Sequence, residues 1–277
     1  MEVRQRQNAV YVLGHSEDEL QRLINQSRFF GDLTEQVLIN AGIESGMRVL
    51  DVGCGAGDVS FLLAKMVGPS GAVIGIDKSA EAIAAARDRA QTAGLENVTF
   101  SEGDITDISL EHPVDAAVGR FILMYLSDPA AALRRIAGYV KAGGVIAFQE
   151  MDMRGVKSLP RLPLFERYID WVVETFRRGG TEIQMGLKLY PTFISAGLPA
   201  PQMVMSARVE GGPQSPAYEQ LTQLARTLLP MMEKLGVARA EDVGIETLAQ
   251  RLRDEVVSGG GVIVLPNLIG AWARKPT

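Results

Sequence analysis

The sequence predicts an α/β chain wound around a doubly wound, mostly parallel sheet, and three observations carry that reading. An apolar strand through Met47, Val49, Leu50 and Val52 runs straight into glycines at alternate positions, Gly53, Gly55 and Gly57, and then into a helix. Strand-like and helix-like segments then alternate at regular spacing up to residue 150, as a sheet with helices on both faces requires. The strands also read as continuous apolar runs, which is what burial on both faces demands.

Each element follows from local signals. Ser16 and Glu19 form an S-x-x-E capping box ahead of Leu20, Leu23 and Ile24, which predicts a helix from about 17 to 30. Asp32 caps a second helix through Val37, Leu38 and Ala41, closed at Gly42. After the glycine turn, Val59, Leu62, Leu63 and Met66 mark a helix that stops at Gly68 and Pro69, and AVIGID (72–77) is the second strand. Ser79 caps an alanine-rich helix through Ile83, Ala86 and Ala90, and Val98 to Phe100 and Val114 to Val118 are the third and fourth strands. Asp128 followed by Pro129 starts a helix with Leu133, Ile136 and Val140, and Gly143-Gly144 turns into the fifth strand, VIAFQ.

Beyond Glu150 the alternation breaks. Phe165, Tyr168, Ile169, Val172, Val173 and Phe176 mark a strongly periodic helix, and a shorter one is predicted from Pro191 to Gly197. PQMVMSARVE reads as a sixth strand. Ser215-Pro216 opens a long helix through Leu221, Leu224, Leu228, Met232 and Leu235, another carries Leu248, Leu252 and Val256, and VIVLPNLIGAWA is one last strand. The expected division is a helical segment over 1–46, a core over 47–150, and a remainder over 151–277. Within that remainder the helices of about 160–180 and 214–257 are insertions around the core, the usual place for substrate selection.

Composition narrows the partners. The chain has 277 residues, 47% of them hydrophobic, enough for one large domain. A net charge of −5 with scattered basic residues argues against a nucleic-acid partner and leaves small molecules as the default. The one cysteine, Cys54, excludes an intrachain disulfide and a cysteine metal cluster, and no metal site is expected. The first residues, MEVRQRQNAVYVLGH, lack an apolar core of signal-peptide length, and the run GGGVIVLPNLIGAWA is too short to span a bilayer. A cytoplasmic protein without a membrane partner is expected. The oligomeric state stays open, a homodimer being one arrangement.

The flanks of the glycine turn decide what it binds, because dinucleotide folds, phosphate loops and plain tight turns all use one. A dinucleotide fingerprint would put Gly or Ala where Asp58 stands, and Asp51 precedes the loop, so two carboxylates would repel a pyrophosphate. The lysine of a phosphate loop is missing as well. A cationic or zwitterionic ligand without phosphate fits better. Asp77 ends the second strand 24 residues after Gly53, where a carboxylate at a neighbouring strand tip can accept both hydroxyls of a ribose. Gly103, Asp104 and Ile105 follow the third strand, within reach of a purine edge.

Taken together, DVGCGAG, the acid of GIDKS and the EGDI segment resemble the class I S-adenosylmethionine-dependent methyltransferases of small-molecule type, over about residues 45 to 150. The resemblance implies a Rossmann-like sheet of seven strands, the last antiparallel beside the sixth, with helical cap insertions and an N-terminal helical lid. It implies S-adenosylmethionine as cofactor, with Asp51 orienting the methionine amino group and Gly53, Gly55 and Gly57 under the ligand. Asp77 then holds the ribose, Lys78 covers the adenine edge, Asp104 meets the adenine amino group, Ile105 packs on the ring, and Arg120 meets the methionine part.

On the acceptor side the candidates are Tyr11 and His15 on a folded-over N-terminal helix, Met124 and Tyr125 after the fourth strand, and Glu150 at the end of the fifth. Tyr168 and Leu224 on the insertions complete the set, and their apolar surroundings imply a small apolar or aromatic methyl acceptor. His15 and His112 are the only histidines, and no catalytic residue is assigned. The sulfonium already activates the methyl, so in-line displacement can rest on positioning and exclusion of water. The alternatives are a same-fold protein that binds the cofactor but cyclises or rearranges its substrate, or only binds, and a dinucleotide oxidoreductase, which Asp58 disfavours.

Overall fold

The computed structural model describes residues 17–105 and 109–277, and of residues 17–21, 23 and 28 the main chain alone. The expected alternation is present. After α1 (Glu17–Ala41) come β1 (Arg48–Val52), α2 (Asp58–Val67), β2 (Ala72–Asp77), α3 (Ala80–Thr92), β3 (Val98–Glu102), β4 (Val114–Arg120), α4 (Pro129–Tyr139) and β5 (Val140–Asp152). The chain continues as β6 (Lys157–Leu159), α5 (Pro163–Arg178), α6 (Met185–Ser195), β7 (Gln202–Ser206), β8 (Val209–Gly211), α7 (Ala217–Lys234), α8 (Ala240–Val243), α9 (Ile245–Ser258), β9 (Val262–Val264) and β10 (Asn267–Arg274).

Seven strands form the main sheet in the order β3-β2-β1-β4-β5-β10-β7. The first five are parallel, and β10 runs antiparallel between β5 and β7. The order reverses between β1 and β4, so their C-terminal ends flank the crevice in which such sheets bind ligands. One face is covered by α4 and α6 over Leu50, Leu133, Ile136 and Phe148; the other by α1, α2 and α3 over Val49, Leu63, Val73 and Ile83.

Four expectations are corrected. Residues 17–41 are one helix, not two. Asp32 caps nothing, because packing of Phe29, Thr34, Val37, Leu38 and Ala41 on the inner face outweighs the roughly 1 kcal/mol that Gly31 costs in a helix interior. The short helix starts at Met185, with Pro191 inside it. The hydrogen bond that Pro191 cannot give falls on the exposed Leu187, while the next carbonyl, that of Lys188, accepts from Thr192 Oγ1 at 2.7 Å.

PQMVMSARVE is two strands, β7 and β8, and VIVLPNLIGAWA is likewise two, broken at Leu265-Pro266, since proline cannot donate to a ladder. The detached pieces build a second sheet, β6-β9-β8, antiparallel throughout. This sheet and α5, α7 and α9 enclose a core of their own, with Phe165, Tyr168, Val172, Leu228, Leu252 and Ile263. The cap is therefore broader than the two predicted insertions.

Helix α1 is fastened to both bodies. Its Asn25 donates to Gln223 of α7 at 2.9 Å, and Phe29 packs into the cap core while its carbonyl accepts from Arg208 Nε at 2.6 Å. Against the main sheet, α1 sits so close to β10 that a Cβ on Gly270 would lie 2.5 Å from Val37 Cγ2. Among the described residues, no helix is long and apolar enough to cross a membrane, and no His/Cys/Asp/Glu group could hold a metal ion.

The Val37 contact makes a stability prediction. Gly270→Ala should cost about 1–3 kcal/mol through overpacking, and adding Val37→Ala should recover most of that loss. Urea denaturation of the two variants checks it; a stable single variant would mean that α1 does not depend on this seat.

Candidate functional site

The glycine turn is built by backbone demands as much as by space. Gly53, Gly55 and Gly57 have φ of 68°, 52° and 88°, a region where a Cβ is strained. A Cβ on Gly53 would also lie 2.7 Å from Ile122 Cδ1, and one on Gly57 2.8 Å from Phe61 Cζ. The Gly55 N–H donates to Asp77 Oδ2 at 2.9 Å, and Ser79 N–H donates to Asp77 Oδ1 at 2.9 Å. One carboxylate thus joins the ends of β1 and β2, and each oxygen keeps accepting capacity for a ligand.

The neighbouring acids are handled differently. Asp51 is buried and accepts from Ser60 Oγ at 2.6 Å; burial pushes its carboxyl up to about 6, against the pull of Ser60 and Arg120. Asp58 is ion-paired with Arg89 at 2.7 Å, so its charge does not stand alone beside the turn as the sequence implied.

At the end of β4, Arg120 Nη1 donates to Thr34 Oγ1 of α1 at 3.2 Å, and that hydroxyl donates to Gln149 Oε1 of β5 at 2.8 Å. The next residue, Phe121, has φ 57°, the left-handed exception outside glycine among the described residues. Strain of this kind persists only where the surroundings over-determine it. Here Glu150 does so: its Oε1 accepts from Ile122 N at 2.9 Å and Leu123 N at 2.7 Å. Glu150 is fully buried and its Oε2 has no hydrogen-bond partner. Burial pushes its carboxyl up to about 8, although the main-chain N–H groups of Leu123, Ile122 and Met124 favour the ionised form.

The glycine turn, Asp77, Asp51, Asp58, Arg120 and Phe121 border one cavity of about 240 Å³. Its sheet half is lined by Asp51, Gly53, Gly55, Asp58, Asp77, Lys78, Asp104, Ile105 and Arg120. Its cap half is largely apolar, with Phe29 and Phe30 from α1, Tyr168, Val172 and Phe176 from α5, and Leu221 and Leu224 from α7, beside the polar Arg22, Gln26 and Gln220.

The sheet, the turn and the cavity can be set beside known proteins. A family described as "Methyltransferase domain" matches residues 43–193, more than half of the chain. The chain belongs to this methyltransferase family. Its sheet, with β10 antiparallel, has the class I architecture, whose cofactor is S-adenosylmethionine. Over 147 residues the chain is 32% identical to demethylmenaquinone methyltransferase of Staphylococcus aureus, covering 51% of this chain and 58% of that protein. The chain spans about half the length of the curated relatives it matches. Among solved structures, the [4+2]-cyclase SpnF is similar with a TM-score of 0.53 at 23% identity, over 89% of this chain and 80% of that one. A SAM-dependent methyltransferase from Aquifex aeolicus gives 0.51 at 23% identity, over 73% and 95%. At such identity these two speak for the fold alone.

The cavity gathers most of the residues singled out from sequence. Asp51, Gly53, Gly55, Asp77, Lys78, Asp104, Ile105, Arg120, Tyr125, Tyr168 and Leu224 all line it. Gly57 is buried one step behind the wall, against Phe61 and Phe100. Met124 and Glu150 are corrections: Met124 is core, 1% exposed, and Glu150 points its carboxyl into the loop it holds, so neither reaches the cavity. Tyr11 and His15 lie outside the described residues.

Sequence reasoning missed Arg22 and Gln26. With Phe29 and Phe30 they occupy positions i, i+4, i+7 and i+8 of α1, one helical face turned to the cavity. That spacing is present in the sequence, beside the apolar Leu20, Leu23 and Ile24 that follow the capping box. The bonds of Thr34 and Arg89 had no local signal, since both partners are distant in sequence.

Glu150 yields a pH prediction. Between its ordinary value of 4.5 and about 8, the folded protein holds a proton on Glu150 that the unfolded chain has released. Stability from this group is therefore highest below that window and falls as pH rises through it. Glu150→Gln keeps the accepting oxygen and cannot ionise, so wild-type stability minus variant stability should decline from pH 5 to pH 8 in urea titrations. A flat difference would show that the carboxyl does not titrate there.

Proposed function

We propose that this chain transfers the methyl group of S-adenosylmethionine to a small apolar or aromatic acceptor. The observation that carries the reading is the continuity of the cavity, which runs without a wall from the Asp77 and glycine-turn end to the apolar cap. The residues fit the cofactor. Asp77 has both oxygens oriented by main-chain N–H groups and still able to accept two ribose hydroxyls, Ile105 offers a buried apolar surface for a purine, and Asp104 stands beside it at the rim. Arg120 offers a guanidinium to the methionine carboxylate, and Asp51 a carboxyl to its amino group.

Bound S-adenosylmethionine supplies a methyl already activated by positive sulfur. What the chain adds is position and dryness: α1, α5 and α7 close an apolar chamber over the sheet end, where an acceptor meets the methyl in line and water is kept away. Dedicated proton transfer is not required of it. The Cys54 thiol and the Tyr168 phenol are both pushed up by burial, and Tyr168 already donates its hydroxyl to Leu221 O at 2.9 Å, so neither is poised as a base or nucleophile. The enclosed chamber and the net charge of −5 favour a small molecule over a nucleic acid. A cyclisation on the same site is the runner-up, and the mass of the product separates the two, since only methyl transfer adds a methyl.

Asp77→Ala should weaken S-adenosylmethionine and S-adenosylhomocysteine by roughly ten- to a hundred-fold in calorimetry, the magnitude of losing hydrogen bonds to a charged group. Leu224→Ala should change kcat/KM or acceptor choice with cofactor affinity kept. Undiminished cofactor affinity in the Asp77 variant would sink the reading. So would a product mass without methyl gain across phenol, quinone, amine and acid pools.

A further inference from the structure

Glu150 lies behind the cavity wall and touches no ligand position, yet the groups it holds do. One of its carboxyl oxygens accepts from Ile122 N at 2.9 Å and Leu123 N at 2.7 Å, while the other is buried without a hydrogen-bond partner. A buried polar atom left unpaired is costly, and an apolar side chain of similar size would avoid that cost, so what this acid contributes lies in the two bonds of its first oxygen.

Those bonds fix the chain just after Phe121, whose φ of 57° turns it back at the end of β4 and whose N–H donates to Gln149 O at 2.9 Å. The turn sets the Phe121 ring 5.6 Å from the guanidinium carbon of Arg120, a cation–π contact that holds the guanidinium together with Thr34 Oγ1. It also drives Ile122 between two glycines. A Cβ on Gly53 would lie 2.7 Å from Ile122 Cδ1, and one on Gly119 3.0 Å from Ile122 Cγ2, so Ile122 is a wedge with the glycine turn on one side and β4 on the other. Gly53, Arg120, Phe121 and Ile122 all line the cavity.

The groups held in this way serve one end of the cofactor. Arg120, Asp51 and the glycine turn face its methionine part, whereas Asp77, Asp104 and Ile105 stand at the ends of β2 and β3, on the far side of β1 from Glu150. Resting on the cofactor reading above, we propose that Glu150 is a positioning residue, which by fixing Phe121 and Ile122 keeps Arg120 and Gly53 ready for the amino-acid end of S-adenosylmethionine. The adenosine end is independent of it. The gain is preorganisation, since a wall that is correctly formed only part of the time lowers affinity by that fraction.

The test compares, by calorimetry on the whole chain, S-adenosylhomocysteine with 5′-methylthioadenosine, which keeps the adenosine and the sulfur and lacks the amino and carboxylate groups. Glu150→Met keeps the bulk and removes the acceptor; it should weaken S-adenosylhomocysteine on the order of ten-fold and leave 5′-methylthioadenosine within about two-fold of the wild type. Glu150→Gln, which keeps an accepting oxygen, should bind both as the wild type does. Hydrogen exchange should be faster at the Ile122 and Leu123 amides of Glu150→Met and unchanged in β1 and β2. Where Glu150→Met fails to fold, Ile122→Ala removes the wedge alone and should split the two ligands in the same way. The proposal is overturned if the variant that folds binds S-adenosylhomocysteine undiminished or loses both ligands alike, if exchange at Ile122 and Leu123 does not change in a folded Glu150→Met, or if Glu150→Gln loses S-adenosylhomocysteine. Failure of the wild type to bind S-adenosylhomocysteine at all strikes the cofactor reading instead.

Discussion

The Thr34 hydroxyl, buried between Arg120 and Gln149, is the link on which the cavity depends. It joins α1 to the ends of β4 and β5, and α1 in turn brings Phe29 and Phe30 to the acceptor chamber and Asn25 to α7. Together with the Val37 seat on Gly270 and the Asn25 and Phe29 contacts to the cap, it holds the helix with Arg22, Gln26, Phe29 and Phe30 turned inward. A net hydrogen bond contributes only about 1 kcal/mol, but a buried hydroxyl left unpaired costs more, so the link specifies position more than it adds stability.

Four carboxyls near the sheet ends receive four different environments from one fold. Asp77 is oriented by two main-chain N–H groups, Asp58 is neutralised by Arg89, Asp51 is buried against Ser60, and Glu150 is buried over the loop that carries the strained Phe121. The first three border the cavity, and Glu150 shapes the loop behind it. Glu150 acts furthest from the chemistry. Through Ile122, whose side chain lies where a Cβ of Gly53 would be, it props one side of the glycine turn. The strain at Phe121 is thus matched by a buried carboxyl instead of being relieved.

The parallel sheet was legible because its signals are local: apolar runs, Ser79 and Asp128 as caps, and glycines where φ must be positive. The sheet half of the cavity lining was legible for the same reason, its residues falling at the ends of consecutive strands. Expectation failed where long-range packing ruled. Asp32 looked like a cap until the buried face of α1 carried the helix through it, and Pro191 looked like a helix start until a solvent-facing position made it harmless. Two strands were fused in reading because an apolar run does not announce that its halves serve different sheets. Glu150 was read as a ligand group because an acid at a strand end has no signature that separates a site from a loop support.

The division of those two strands has a mechanical corollary. The chain passes between main sheet and cap four times, at 153–156, 179–184, 207–208 and 265–266, and the last two passages are only two residues long. A body suspended from a single tether can swing; one stitched by four cannot rotate without bending all of them together. Any opening of the roof over the sheet is accordingly a concerted deformation of all four passages.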